Sequence, residues 1–215
     1  MIAASNDPPS LISPNSELPL NPDIAPLKLG VLASGSGSNF EAIAQAIVNR
    51  QLNAKIHVLI YNNPNAKAAE RAARWHIPAV LLNHRDFTSR EALDGAIVQT
   101  LSDHDVEWVI MAGWMRIVTN GLINAFRDRV INIHPSLLPS FKGAHAIQQA
   151  FDAGVKITGC TVHLVRLEVD SGPILMQAAV PISPDDTLET LQTRIQVQEH
   201  RIFPRAIAIA AQLLG

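Results

Sequence analysis

Three short stretches carry residue types whose spacing could do chemistry. In Ile131-Asn132-Ile133-His134-Pro135-Ser136, Asn132 and His134 stand two apart at the end of an apolar run. In an extended strand that spacing puts both side chains on one face. There an amide and an imidazole N–H can donate to the oxyanion that develops when a nucleophile attacks a carbonyl. His134 can also move a proton near neutral pH. The alternative is a strand-end histidine satisfied by backbone carbonyls. Pro135 and the following Leu137-Leu138-Pro139 point to an enforced loop, which serves either reading.

The second stretch is Ser34-Gly35-Ser36-Gly37-Ser38-Asn39, between an apolar run and an amphipathic one. Small residues there let backbone N–H groups and a helix N-terminus close on an anion such as a phosphate monoester. A dinucleotide fingerprint fails, because Phe40 stands where the third glycine belongs and Tyr61-Asn62-Asn63 supplies no ribose-binding acid. A P-loop fails for want of a Lys after the glycines. A tight turn with ordinary helix capping remains the alternative. The third stretch is Glu168-Val169-Asp170-Ser171-Gly172-Pro173, from which Asp170 could reach the same crevice and favour the charged form of His134. Asp-Ser-Gly-Pro is also ordinary turn chemistry.

Other residues offer less. Cys160 and His163 are three apart in an expected strand, so they point to opposite faces and make a poor metal pair. No GxSxG elbow marks a serine nucleophile. His57, His76, His84 and His104 are expected at the surface, and His145 and His200 receive no role although both neighbour candidate segments.

The elements that must position these residues read as an α/β pattern. Apolar runs at Leu29 to Ala33, Ile56 to Tyr61, Ala79 to Leu82, Trp108 to Ala112 and Val130 to His134 predict strands. Helices are predicted between them at Phe40 to Arg50, Ala66 to Trp75, Ser89 to Ser102 and Asn120 to Phe126, each long enough for a crossover. A helix near Ala146 to Ala153 precedes runs at Thr158 to Leu164 and Ile174 to Val180, whose short connection predicts antiparallel pairing. A last helix is expected from about Asp186, interrupted by Pro204 and ending at Leu214. The result is a Rossmann-like, mainly parallel central sheet with an antiparallel C-terminal strand pair and helices on both faces. In such sheets ligands bind beyond the carboxyl ends of the strands, where all three stretches lie.

Composition narrows the function. A net charge of -2 supplies no basic field for a nucleic-acid backbone, and the single Cys160 allows neither an internal disulfide nor a CxxC metal site. No apolar run reaches the roughly 18 residues of a membrane span. Residues 1 to 26 hold six prolines and three acids but no Lys or Arg, unlike a secretory or transit peptide. Residues 1–27 are therefore expected to be a disordered tail before a single catalytic domain, 28–215, in a cytoplasmic protein that binds no metal, membrane or nucleic acid.

Taken together, the glycine-serine loop, Met111-Ala112-Gly113-Trp114-Met115-Arg116-Ile117, Ile131 to Pro139 and Asp170-Ser171-Gly172-Pro173 resemble the folate-dependent formyltransferase family, in the family's order from about Lys28 to Leu214. The likeness is greatest to members that formylate glycinamide ribonucleotide in purine biosynthesis. It implies 10-formyltetrahydrofolate as the formyl donor and no metal. It also implies Asn132, His134 and Asp170 as the catalytic trio, and Gly37, Ser38 and Asn39 as a substrate-phosphate loop, with Glu199 on the ribose. Folate would lie against Met115, Arg116, Ile117, Val118 and Asn132, with Arg90 on its glutamate. Both substrates are small molecules, and the resemblance leaves monomer and homodimer open.

Ser171 departs from the family's glycine. A formyltetrahydrofolate hydrolase or a methionyl-tRNA formyltransferase would share the trio, but each is expected to need a further domain that 215 residues do not accommodate. A nucleotide-binding module without catalysis is the rival from another class, and the retained trio argues against it.

Overall fold

The computed structural model describes residues 11–14 and 25–214. It contains one eight-stranded sheet in the order β1-β8-β7-β6-β5-β2-β3-β4. Its parallel part comprises β2 (Leu27–Ala33), β3 (Ala54–Tyr61), β4 (Ala79–Leu81), β5 (Trp108–Met111) and β6 (Val130–His134). The chain proceeds outward from β2 to β3 and β4, then returns to place β5 on the other side of β2. That reversal opens a crevice at the carboxyl ends of β2 and β5, where α/β sheets bind ligands.

The expected antiparallel pair is present as β7 (Ile157–Leu164) and β8 (Ile174–Pro181). β7 also runs antiparallel to β6, with Asn132 opposite His163 and His134 opposite Thr161. Since alternate residues share a face, Asn132, His134, Thr161 and His163 project from one side of the sheet and Cys160 from the other.

Helices α1 (Ser38–Val48), α2 (Ala68–Arg74) and α6 (Leu188–Leu214) cover one face, with α5 (Ala146–Asp152) beside α6. Phe40, Ile43, Leu191, Ile195, Phe203 and Ile207 bury their side chains in that layer. Helices α3 (Arg90–Asp103) and α4 (Asn120–Ala125) cover the other, through Leu93, Ile97, Leu101 and Leu122.

Two expectations need correction. Pro204 lies inside a continuous α6 and does not interrupt it. A proline costs an interior helix about 3 kcal/mol, and apolar side chains buried on both sides of it, Ile195, Ile202, Ala206 and Ile207, offset that cost. The second concerns the expected tail. Ile12–Ser13 form β1, antiparallel to β8, and the Leu11 carbonyl accepts from Ala179 N–H at 2.9 Å. Ile12 is buried in the core, so this stretch is part of the sheet, and Leu27 opens β2. Two apolar residues among prolines are too few for strand periodicity to reveal. Residues 1–10 and 15–24 of the expected tail lie outside the described residues.

Candidate active site

At the end of β6 the sheet delivers Asn132 and His134 to the crevice, and the turn after β7 brings Asp170 to them. His134 Nδ1 lies 3.3 Å from Asp170 Oδ2, and both side chains are buried. The other ring nitrogen, Nε2, lies 2.8 Å from the Phe141 carbonyl. Each ring nitrogen therefore faces an oxygen acceptor, which fixes the plane of the imidazole.

Asp170 is itself held in place. Gly143 N–H donates to its Oδ2 at 2.8 Å, and His163 Nε2 stands 3.6 Å from its Oδ1. Burial alone would raise its pKa, but the His163 imidazole beside it, the hydrogen bond from Gly143 N–H and the neighbouring His134 leave the carboxyl below its ordinary range. The turn's shape is obligatory: a Cβ on Gly172 would lie 1.7 Å from the Leu164 carbonyl oxygen. Phe141, His145 and Asp170 all adopt left-handed backbone, which costs L-residues energy and clusters at functional sites.

Sequence reasoning weighed His163 only as a metal ligand. In the structure Asn132 Nδ2 lies 3.1 Å from His163 Nε2, while His163 Nδ1 faces the Leu164 carbonyl at 2.9 Å. Donation from Nδ1 makes Nε2 an acceptor for one Asn132 N–H, leaving the second for a developing oxyanion. The missing signal was the register of β7 on β6, which period-two patterning does not fix across strands.

The loop between His134 and Phe141 is fastened from behind. Thr161 Oγ1 donates to the Ser136 carbonyl at 2.7 Å and accepts from Leu138 N–H at 3.1 Å and Gln177 Nε2 at 2.9 Å. Every hydrogen-bonding position of that buried hydroxyl is thus in use. Gln177 also donates to the Leu138 carbonyl at 3.0 Å.

A cavity of about 560 Å³ opens in front of these groups, lined by Asn132, His134, Asp170 and the segment Met115 to Val118. His145, given no role from sequence, lines it too. Ile117, Val118 and Leu167 also border an adjoining cavity of about 650 Å³ whose wall includes Arg90. The structure therefore places the residues expected at folate along one groove, with Arg90 at its far end.

The residues expected at the ribonucleotide gather separately, where β2 meets α1. Gly37 has φ +71°, and a Cβ there would lie 2.8 Å from the Cα and Cβ of Ala68. Glycine is required at that position by the packing of α1 on α2 as much as by any ligand. Asn39 Nδ2 donates to Glu199 Oε2 at 2.9 Å, and Asn39 Oδ1 is buried without a donor. Burial raises the Glu199 pKa, and the Asn39 hydrogen bond partly opposes that. Gln196, one turn before Glu199 and missed from sequence, donates to Ser38 Oγ at 3.3 Å. The two groups of residues are joined where Met115 N–H donates to Ser34 Oγ at 2.8 Å. Among the described residues no cluster of three or more His, Cys, Asp or Glu is placed to hold a metal, and no helix is long and apolar enough to cross a membrane.

A Rossmann-like sheet that gathers Asn132, His134 and Asp170 at its carboxyl edge, between the Ser34 to Asn39 loop and the cavities lined by Met115 to Val118, points to a formyl-transferring enzyme. Residues 27–207 match the formyl transferase family, and the chain belongs to it. It is 44% identical over 188 residues to the phosphoribosylglycinamide formyltransferase of Bacillus subtilis (strain 168), covering 87% of this chain and 95% of that one. The human trifunctional purine biosynthetic protein adenosine-3 is 40% identical over 184 residues, covering 86% of this chain but 18% of that protein. The crystal structure of phosphoribosylglycinamide formyltransferase from Bacillus halodurans superposes with a TM-score of 0.83 at 44% identity, over 87% of this chain and 95% of that chain.

Proposed function

We propose that the chain transfers the formyl group of 10-formyltetrahydrofolate to the amine of glycinamide ribonucleotide, a step of purine biosynthesis, in the cytoplasm, with a catalytic domain that runs from Leu27 and takes in β1 at its sheet edge. The observation that carries this reading is the convergence of Asn132, His134 and Asp170 on one cavity. The likeness to phosphoribosylglycinamide formyltransferases along most of the chain supports the choice of acceptor.

The geometry suits the chemistry. The neutral amine attacks the formyl carbon, and the carbonyl oxygen becomes an oxyanion facing the free Asn132 N–H and His134. Because Nε2 is committed to the Phe141 carbonyl, Nδ1 is the nitrogen from which His134 can pass a proton toward the departing folate nitrogen. Asp170 keeps that proton on the imidazole and relays the proton lost by the attacking amine through water. Met115 to Val118 and Arg90 hold folate along the groove, the guanidinium meeting its terminal carboxylate. Backbone N–H groups of Gly37, Ser38 and Asn39 close on the phosphate at the α1 N-terminus. The unpartnered Asn39 Oδ1 and the Glu199 carboxylate both accept hydrogen bonds, which matches the two hydroxyls of a ribose.

The test is formyl transfer from 10-formyltetrahydrofolate with and without the ribonucleotide. Transfer that requires glycinamide ribonucleotide supports the proposal, while release of formate to water at the same rate without it would overturn it.

A further inference from the structure

Outside the reacting groups, α3 carries a buried acid that the chemistry leaves unused. Asp94 is 3% exposed on the face of the helix that also buries Leu93 and Ile97. The other α3 acids, Glu91 and Asp103, are exposed. Burying a carboxylate is expensive unless it is hydrogen-bonded, so its partner shows what the acid holds. That partner is Thr119, whose backbone N–H donates to Asp94 Oδ2 at 2.5 Å and whose hydroxyl also bonds to it. Thr119 precedes α4, and its side chain makes no capping bond to that helix.

The position of Thr119 gives this bond its meaning. It directly follows Met115 to Val118, the stretch that lines the cavity in front of Asn132 and His134. The stretch is pinned at its start by Met115 N–H on Ser34 Oγ and at its end by Asp94. Val118 turns inward among the apolar side chains that include Leu93, Ile97 and Leu122, whereas Ile117 is 53% exposed toward the groove. One helical turn before Asp94, Arg90 lines the adjoining cavity, whose wall also includes Ile117, Val118 and Thr119. A single carboxylate therefore fixes the strip at one end of the groove relative to the helix that carries the cation at the other.

We propose that Asp94 is a positioning residue for the formyl donor, setting the spacing between the Met115 to Val118 strip and Arg90 so that both ends of an elongated folate are met at once. This rests on the folate reading of the groove. Asp94 is buried behind the strip and is not assigned to either ligand. Its removal frees one end of the strip on the donor's side while leaving Asn39 and Glu199 untouched, so it should act on donor binding and spare the ribonucleotide.

The experiment compares full-length wild type, Asp94→Ala and Asp94→Asn by steady-state kinetics for both substrates and by calorimetric binding of tetrahydrofolate. Loss of a hydrogen bond to a charged group corresponds to roughly 10- to 100-fold. Asp94→Ala should therefore raise the KM for 10-formyltetrahydrofolate and the Kd for tetrahydrofolate by about tenfold or more, with KM for the ribonucleotide within about twofold. Asp94→Asn keeps an acceptor oxygen for Thr119 and should recover most of that loss, which also keeps the test decisive where the alanine variant does not fold. Equal rises in both KM values, or unchanged tetrahydrofolate affinity in both variants, would overturn the proposal. The calorimetric arm needs no turnover: a wild type that binds tetrahydrofolate but forms no formylated ribonucleotide would sink the functional reading and still decide the role of Asp94.

Discussion

Gly143 N–H holds the Asp170 carboxylate at 2.8 Å through the same oxygen that stands 3.3 Å from His134 Nδ1. The loop that leaves His134 and the turn that presents Asp170 are thereby tied to each other, and the imidazole is fixed between two acceptors. Replacing the charge while keeping the shape tests what this contributes. Asp170→Asn should retain the fold, lower kcat well beyond any change in KM, and alter the pH dependence of kcat. His134→Ala and Asn132→Ala should each lower kcat on the order of 100-fold or more, the scale for removing one proton carrier or one oxyanion donor. Steady-state kinetics on folded variants decide this, and near-normal turnover in His134→Ala or Asn132→Ala would sink the assignment.

The loop between His134 and Phe141 makes a second prediction. Thr161→Val keeps the volume but leaves the Ser136 carbonyl and Leu138 N–H each without a buried partner and takes one of its two acceptors from the Gln177 amide. The Phe141 carbonyl then loses its fixed relation to His134 Nε2. Turnover and melting temperature should both fall, and Thr161→Ser, which keeps the hydroxyl, should restore turnover to within about threefold if the bonds and not the methyl group matter. Equal damage in the serine and valine variants would point to packing instead.

How much of this was readable beforehand differs from element to element. β6 was legible to the residue, from Val130 to His134, because its apolar run is bounded and its alternation clear. The pairing of β7 with β8 followed from the short connection between them. His163 was missed because strand register depends on what lies across the sheet, and Asp94 because one acid within an amphipathic helix reads as solvated. The Asn39–Glu199 bond joins residues 160 positions apart; family resemblance suggested both, but only the packing of α6 on α1 brings them together. Pro204 misled because local propensity counts the lost hydrogen bond and not the apolar surface buried on either side.

The two groups of ligand-facing residues should separate by ligand. Asn39→Ala and Glu199→Ala remove acceptors beside α1 and should raise KM for the ribonucleotide with little effect on the formyl donor. Arg90→Ala should do the reverse by up to about tenfold, because an exposed guanidinium bound to a carboxylate is screened by water. Gly37→Val is unsuited to this purpose, since its side chain would strike Ala68 before reaching any ligand. Calorimetric binding of each substrate to each folded variant gives the comparison, and uniform weakening of both ligands would refute the division.

Glu199 also predicts a cost in stability, with a definite sign. Burial holds its carboxyl above the ordinary value of 4.5, although the bond from Asn39 opposes the shift. A raised carboxyl pKa means that the folded protein binds the proton more tightly than the unfolded chain. Stability is then full below the unfolded pKa and declines as pH rises from about 4.5 through the folded pKa, beyond which the buried charge remains a constant penalty. Glu199→Gln removes the charge and keeps an oxygen for Asn39 Nδ2. Without ligands it should therefore melt above wild type at pH 7, by an amount that shrinks toward zero as pH falls below about 4. The same variant should bind the ribonucleotide less tightly, because the carboxylate that destabilises the empty site is the better acceptor for ribose hydroxyls. Melting temperatures measured from pH 3.5 to 8, together with KM for the ribonucleotide, test both halves, and a variant less stable than wild type at pH 7 would show that the carboxylate stabilises the fold.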